Sequence, residues 1–411
     1  LSGKHDLIVL EGAGSPAEIN LLDVDIVNMA MARHTDAPVL LVGDIDKGGV
    51  FASLFGTVSL LGDAAEPIKG FLINKFRGDR AILEPGLGMI HEKTGRPVLG
   101  VLPYLKEIGL PEEDGLSLAD HSPLHHEQGI IRIVVIRHCS IANFTDFDAL
   151  RIEPDVSLIF SQNPSDLATA DLIIIPGSKN TIADLKFLRE RGGEPALRSA
   201  HKQGIPIIGI CGGYQMLGQR IIDELNIESA EREMPGLGLL NIETRFNATK
   251  TTCLAEAELT DNAILSGDSP ESTTAIAPTF GLPVIPGQSP CSVASAHYAS
   301  PITNQRLAGY EIHMGESSGD IGLFRIRRNG SDEWVPDGSK NRSCWGTYIH
   351  GLFDNDVFRR IFLNGIRVRK GLEPLASTIS YHAVRDAAIN RLADVVRREC
   401  DLDAIRRMIG L

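Results

Sequence analysis

One cysteine in this sequence sits where a nucleophile is expected. Cys211 follows the apolar run 205–210, and the segment Gly209-Ile-Cys211-Gly-Gly213 has the form G-x-C-x-G before a helical pattern. Such a strand-turn-helix elbow is so tight that only small residues fit on either side of the nucleophile. The helix dipole favours a thiolate at this position, and the amide of Gly212 is placed to bind an oxyanion. The pattern predicts a thiol that attacks a carbonyl carbon.

A thiol nucleophile needs a neighbouring base, and two histidines at strand ends are candidates. His350 ends the apolar segment 345–350 and is followed by Gly351, and His313 ends the segment 309–313. The spacing alone does not choose between them.

Three polar segments in the first hundred residues each follow an apolar run. They contain Glu11, then Asp44, Asp46 and Lys47, and then Asn74. Each segment alone is an ordinary turn or helix cap, but together they mark the edge where parallel sheets bind ligands. Glu11 is the predicted Mg²⁺ ligand. The other four are predicted to bind a nucleotide or substrate, and the Asn74 amide suits a base edge.

The elements that position these residues follow from hydrophobic periodicity. Continuous apolar runs predict buried parallel strands, and longer amphipathic stretches predict helices between them. The first series has strands at 7–10, 39–42, 71–73 and 98–102, and helices at 19–33, 50–61 and 80–93. The second has strands at 131–136, 156–160, 172–175 and 205–210, a helix at 181–202, and short alternating strands after Gly236, such as 309–313 and 323–327. The prediction is two doubly wound α/β domains.

Composition changes set the predicted boundaries. Residues 1–110 form the first domain, and residues 130–375 form the second. The segment 111–129 between them is composed mainly of Pro, Gly, Asp, Glu, Ser and His, has no periodicity, and is predicted to be a linker. A Ser-, Thr- and Pro-rich stretch near 259–305 is predicted to be a surface insertion. Residues 376–411 are predicted to be a helical tail.

Charge and cysteine content narrow the partners. The 411 residues carry 53 acidic and 40 basic side chains, a net charge of -13, which argues against nucleic acid or an anionic membrane as a partner. Six cysteines without a CxxC spacing indicate a reducing compartment, here taken as the cytoplasm. A homo-oligomer is compatible with all of this.

Residues 131–370 resemble a class I, triad-type glutamine amidotransferase domain. The resemblance implies that Cys211 attacks the side-chain amide of glutamine, that His350 is the base, and that the amides of Gly212 and Gly177 bind the oxyanion. Leu352 stands where the family has the glutamate that orients the histidine. Either another acid orients His350, with Glu311, Glu316 and Asp354 as candidates, or the site is a Cys-His dyad.

The first domain resembles the dethiobiotin-synthetase-like amidoligases, and the domain order resembles that of the glutamine-hydrolysing cobyric acid synthases. The shared motifs are residues 11–20, 44–49, 74–79, 211–217 and 346–351. The resemblance implies amidation of peripheral carboxylates on adenosylcobyrinic acid a,c-diamide, a corrinoid polycarboxylate, with glutamine, ATP and Mg²⁺.

A departure from that family concerns the phosphate-binding loop. No G-x-x-x-x-G-K-[ST] motif is present, and Leu1 comes just before the Glu11 segment. We therefore expect that an N-terminal segment carrying this loop has been lost, and that the activity of the chain depends on it. The alternatives are a related amidoligase, acting on cobyrinic acid or a cell-wall precursor, and a noncatalytic fragment.

Overall fold

The computed structural model describes residues 3–105, 108–110, 130–261, 264 and 306–411. The predicted linker, and all but a few residues of the predicted insertion, lie outside the described residues. The chain divides into two compact units, Leu1–Leu110 with Val384–Leu411, and Pro111–Ala383.

The first unit contains a parallel sheet of three strands in the order β1-β2-β3. Helices connect the strands, as the alternation of apolar runs predicts. The strands are β1 (Val39–Asp44), β2 (Ile68–Phe76) and β3 (Val98–Pro103), and the helices are α1 (Met29–Thr35), α2 (Val50–Leu61) and α3 (Arg80–Thr94). The register pairs Asp44 with Asn74, so the polar ends of β1 and β2 lie side by side.

Two predictions for the start of the chain are wrong. Residues 7–10 form no strand, and Val9 is 84% exposed, because the described three-stranded sheet pairs no strand with this run. The helix predicted over 19–33 is reduced to α1 and a 3₁₀ turn at Leu22–Val24. The Asp25 carboxylate accepts hydrogen bonds from the backbone amides of Asn28 and Ala30, both at 3.0 Å. These local bonds stabilise a turn in place of helical structure in the residues before α1.

The second unit is built on a six-stranded sheet in the order β16-β17-β9-β7-β4-β6, parallel except for β16. A two-stranded ribbon, β5 with β8, lies apart from this sheet. The bounds are β4 (Ile131–Ile136), β5 (Ile141–Ala142), β6 (Val156–Ser161), β7 (Leu172–Ile175), β8 (Gly177–Ser178), β9 (Ile207–Ile210), β16 (Ser339–Asn341) and β17 (Cys344–Thr347). The central strands β4, β7 and β9 are buried on both faces, which is why their sequences are almost wholly apolar.

Helices cover this sheet, and the one predicted over 181–202 is divided in two. Gly192, at φ +74°, separates the two halves, because a left-handed residue ends an α-helix. The helices are α4 (Asp148–Arg151), α5 (Pro164–Leu167), α6 (Thr181–Glu190), α7 (Gly193–Lys202), α8 (Gly212–Leu217) and α9 (Asp356–Arg369).

A second sheet of the same unit contains two long antiparallel strands, so the expectation of short strands after Gly236 is wrong. These are β12 (Ile242–Leu259) and β13 (Arg306–Gly319), joined in the sheet by β10 (Arg220–Ile222), β11 (Glu233–Pro235), β14 (Phe324–Arg328) and β15 (Trp334–Asp337). One face of β12 packs in the core and the other faces solvent, so its apolar residues alternate with polar ones.

The C-terminal residues 376–411 are not a separate tail. Helices α10 (Tyr381–Glu399) and α11 (Leu402–Met408) follow, and from Val384 onward they belong to the first unit. Cys400 forms a β-bridge with Gly100, and the amide of Asp401 donates to the Leu99 carbonyl at 2.7 Å. Among the described residues, no helix combines the length and the apolar character needed to cross a membrane.

Candidate functional site

Cys211 lies in a strained turn between β9 and α8. Its backbone has φ 52° and ψ -108°, a conformation that L-residues rarely adopt. The strand side of the turn is fixed because the Cys211 amide donates to the Thr347 carbonyl of β17 at 2.9 Å. The thiol is 7% exposed and donates to the Ile312 carbonyl at 3.5 Å.

The glycines around Cys211 leave no room for side chains. A Cβ on Gly213 would lie 1.9 Å from the Ile175 carbonyl oxygen, and a Cβ on Gly209 would lie 2.7 Å from the backbone of Gly213. A Cβ on Gly212 would lie 2.9 Å from the Ser178 amide nitrogen. Only glycine therefore fits at these three positions of the elbow, as the G-x-C-x-G pattern predicts.

His350 and Asp146 complete a triad with Cys211. His350 follows β17 and is fully buried, and Asp146 lies in the 3₁₀ turn Phe144–Phe147. The imidazole Nδ1 lies 2.7 Å from Asp146 Oδ2, and the amide of Gly351 donates to Asp146 Oδ1 at 3.0 Å. Cys211 also acts on the ring and favours its charged form. Asp146 thus occupies the orienting position for which the sequence offered three other acids.

The electrostatics of this triad favour a charged histidine. Burial by itself lowers the pKa of His350, but the Asp146 carboxylate, with a smaller contribution from Cys211, outweighs burial and raises it to about 10. An imidazolium at neutral pH is the natural counter-ion of a thiolate. The arrangement is therefore suited to nucleophilic attack followed by proton donation to a leaving group.

The rival histidine and the proposed acids are engaged elsewhere. His313 Nε2 lies 3.1 Å from Glu311 Oε1, and its ring stacks on Tyr348 at 4.0 Å between centroids. Glu311 also accepts from Arg328 at 2.7 Å. Burial by itself raises the pKa of Glu311, but the hydrogen bonds from His313 and Arg328 have a larger effect and lower the pKa from 4.5 to about 2.

The other two acids proposed for orienting His350 also lie outside the triad. Glu316 is exposed. Asp354 lies in the turn after His350, where its amide donates to the Gly351 carbonyl at 3.0 Å. The structure thus brings His350, not His313, to Cys211.

The two predicted oxyanion donors border the same site. Gly212 opens α8 directly after the thiol, and a Cβ on Gly177 of β8 would lie 3.3 Å from His350 Cε1. The main chain of Gly177 therefore passes close to the imidazole of His350. That their amides bind one oxyanion stays a prediction.

The first unit holds the other predicted site residues at the carboxyl ends of β1 and β2. Asp44 ends β1, Asp46 and Lys47 lie in the turn that follows, and Asn74 lies within β2 instead of in the loop after it. Lys75, which the sequence reading missed, donates to Asp44 at 2.7 Å from a backbone at φ 61°. Hydrogen bonds from the Lys75 side chain and the Asp46 amide lower the pKa of Asp44.

Arg77 and Tyr104 extend this cluster, and sequence reasoning missed both. Arg77 Nε lies 2.7 Å from Asp46 Oδ1, and its guanidinium lies 3.4 Å from the centroid of the Tyr104 ring. Both residues follow strands of the same sheet, so the rule that chose Asp44 and Asn74 would also have found them.

Asp44 and Asp46 suit Mg²⁺ as ligands better than Glu11 does. Asp44 and Asp46 offer two neighbouring carboxylates, the number that Mg²⁺ commonly takes from a protein when phosphates supply the rest. Glu11 is exposed and follows no strand, so the reason for choosing it as a metal ligand is lost. Within the described ranges, no group of three or more His, Cys, Asp or Glu side chains could hold a metal ion.

Comparisons with known proteins cover almost the whole chain. The model of the CobB/CobQ-like glutamine amidotransferase domain matches residues 132–358, and that of the AAA domain matches residues 1–112. A cobyric acid synthase from Thermodesulfovibrio yellowstonii is 43% identical over 99% of this chain and 75% of its own length. One from Salmonella arizonae is 44% identical over 98% of this chain and 74% of its own length.

Proposed function

Because the chain belongs to the cobyric acid synthase family, we propose that it is a glutamine-dependent amidoligase of cobalamin biosynthesis. It converts peripheral carboxylates of adenosylcobyrinic acid a,c-diamide into amides and yields adenosylcobyric acid, with glutamine as the ammonia source and ATP as the energy source. The observation that carries the proposal is the Cys211–His350–Asp146 triad. The free thiols support a cytoplasmic location.

Glutamine hydrolysis follows from the triad. The Cys211 thiolate attacks the side-chain amide carbon, and the amides of Gly212 and Gly177 bind the resulting oxyanion. The His350 imidazolium gives its proton to the leaving nitrogen, so ammonia departs and a thioester remains. The now neutral His350 takes a proton from water, which attacks the thioester and releases glutamate. Asp146 holds the ring in the required tautomer throughout.

The first unit activates the corrinoid. A carboxylate is a poor electrophile until it is phosphorylated, so the terminal phosphoryl group of ATP passes to it and ADP leaves. Ammonia then attacks the acyl phosphate, which gives the amide and inorganic phosphate. Asp44, Asp46, Lys47 and Asn74 bind the nucleotide or substrate. Asp44 and Asp46 would hold Mg²⁺, which would neutralise charge on the phosphates.

A glutaminase assay tests the thiol. Glutamate release is measured for the wild type, for Cys211→Ala and for Cys139→Ala, an exposed thiol of the same unit that serves as the matched control. We expect Cys211→Ala to abolish glutamate release and Cys139→Ala to leave it unchanged. Glutamate release by Cys211→Ala at the wild-type rate would contradict the assignment.

Amide transfer tests the substrate. The full chain is supplied with ATP, Mg²⁺ and glutamine, and with one of three acids, namely cobyrinic acid a,c-diamide, cobyrinic acid or a cell-wall precursor. We expect new amides, detected by mass spectrometry, on the a,c-diamide alone. Amidation of another acid supports a related amidoligase. Glutaminase activity without ATP binding, measured by calorimetry, supports a fragment that does not ligate.

A further inference from the structure

The ring of Tyr310 lies against the catalytic imidazole. The ring centroids of Tyr310 and His350 are 5.1 Å apart and their planes differ by 17°. The main chains also pair, since the Tyr310 amide donates to the His350 carbonyl at 3.2 Å and the His350 amide donates to the Tyr310 carbonyl at 2.8 Å. These two backbone hydrogen bonds fix the positions of both residues, so the stacking is a stable feature of the fold.

A second group approaches the same ring without forming an in-plane hydrogen bond. Asn143 Nδ2 lies 3.2 Å from both Nδ1 and Nε2 of His350. A point equally distant from the two nitrogens, at this length, can lie only over the ring, because the in-plane position would collide with Cε1. The amide therefore limits the tilt of the ring and leaves Nδ1 to Asp146.

The charged groups around His350 favour a protonated imidazole, which the face of the Tyr310 ring can attract. Asp146 and Cys211 face the imidazole, and Asp354 acts on the Tyr310 phenol from the turn after His350. Burial raises the pKa of Tyr310, so the phenol stays neutral and its ring keeps its negative face. An aromatic face attracts a cation within about 6 Å of its centroid, and the attraction is greatest away from water.

We propose that Tyr310 is a positioning residue that stabilises the protonated form of His350 and so maintains the thiolate-imidazolium pair in the proposed glutamine hydrolysis. Its ring adds nothing for a neutral imidazole beyond packing. The role thus differs from that of a residue that only fills space beside the site.

The experiment compares Tyr310→Leu, which removes the ring, with Tyr310→Phe, which keeps it. Titration of ring-labelled histidine by NMR, with the His350 signal assigned from His350→Gln, reports the protonation of this ring directly. We expect the ring in Tyr310→Leu to lose its proton at a pH about 0.5 to 1 unit lower than in the wild type. Tyr310→Phe is expected to titrate like the wild type, and Tyr310→Met replaces the Leu variant if that one does not fold.

Glutaminase profiles give the second readout. We expect the alkaline limb of kcat/KM for Tyr310→Leu to move down by the same interval, while that of Tyr310→Phe stays in place. An unchanged His350 titration in Tyr310→Leu would overturn the proposal, whatever the rate. If the wild type shows no Cys211-dependent glutamate release, the proposed function fails instead, and the NMR titration still decides the role of Tyr310.

Discussion

Replacing Asp146 by Asn is the sharpest test of the triad. The substitution keeps the size of the side chain and removes its charge. In the native protein Asp146 accepts two hydrogen bonds, from His350 Nδ1 at 2.7 Å and from the Gly351 amide at 3.0 Å. An Asn side chain can replace only one acceptor, and its NH₂ group would face Nδ1 or the Gly351 amide. We therefore expect both the charge and the tautomer of His350 to change.

The size of the effect follows from the pKa of His350. Against the opposing effect of burial, the Asp146 carboxylate, with a smaller contribution from Cys211, raises it from 6.5 to about 10. At 1.36 kcal/mol per unit, the preference for the charged ring is about 5 kcal/mol. Loss of most of that preference predicts a fall in kcat/KM of about 1,000- to 10,000-fold, and the upper value is the loss known for an Asp-to-Asn change at a triad carboxylate.

The assay is steady-state glutamate release between pH 6 and 10. Glu316→Gln, which removes an exposed carboxylate that the sequence also proposed, is the matched control. It should stay within about twofold of the wild type, as surface substitutions usually do. Circular dichroism checks that both variants are folded. Folded Asp146→Asn with nearly wild-type kcat/KM would refute the orienting role, and an equal loss in Glu316→Gln would show that the effect is not specific.

Two further predictions concern stability. Glu153 is fully buried and accepts from Arg359 at 2.7 Å, so Glu153→Gln should lower the free energy of unfolding by about 3 to 5 kcal/mol in urea titrations. Glu256→Gln, at an exposed ion pair, should change it by less than about 1 kcal/mol, and equal changes in both variants would contradict the reasoning. Burial raises the pKa of Glu228 from 4.5 to about 7. Glu228 therefore binds more protons in the folded state between these values, and the stability that it contributes should fall by up to about 3 kcal/mol as pH rises from 4.5 to 7. Thermal unfolding of Glu228→Gln should lack this fall, and parallel profiles would refute the assignment.

The core of the second unit could be predicted closely from the sequence. The sequence predicts the strands Ile131–Ile136 and Leu172–Ile175 to the residue, because burial on both faces leaves runs that are apolar except for Arg132. Residues 7–10 carry a similar run and form no strand. A β-strand needs a neighbouring strand to satisfy its backbone hydrogen bonds, and the composition of one segment does not show whether such a neighbour is available.

The elbow could also be read from the sequence, but Asp146 could not. The glycines around Cys211 are required by local steric crowding, and because the crowded residues are adjacent in the sequence, the motif is visible there. Asp146 and His350 are 204 residues apart, and only the fold brings them together. The acids considered from the sequence lay near the candidate histidines along the chain. A useful signal existed, since Asp146 comes soon after the end of β4, on the sheet that also carries Cys211 and His350.

The order of the triad residues along the chain also determines when Cys211 becomes activated during synthesis and folding. Synthesis makes Asp146 first, then Cys211, and His350 last. Until that last segment is in place, the thiol has no imidazolium beside it and remains a weak nucleophile. In the unfolded chain Cys211 therefore reacts as an ordinary exposed cysteine, without the activation that His350 supplies in the fold. This activation arises only when β17, which leads to His350, has paired with β9, which leads to Cys211, so the site is completed in the same step as the sheet.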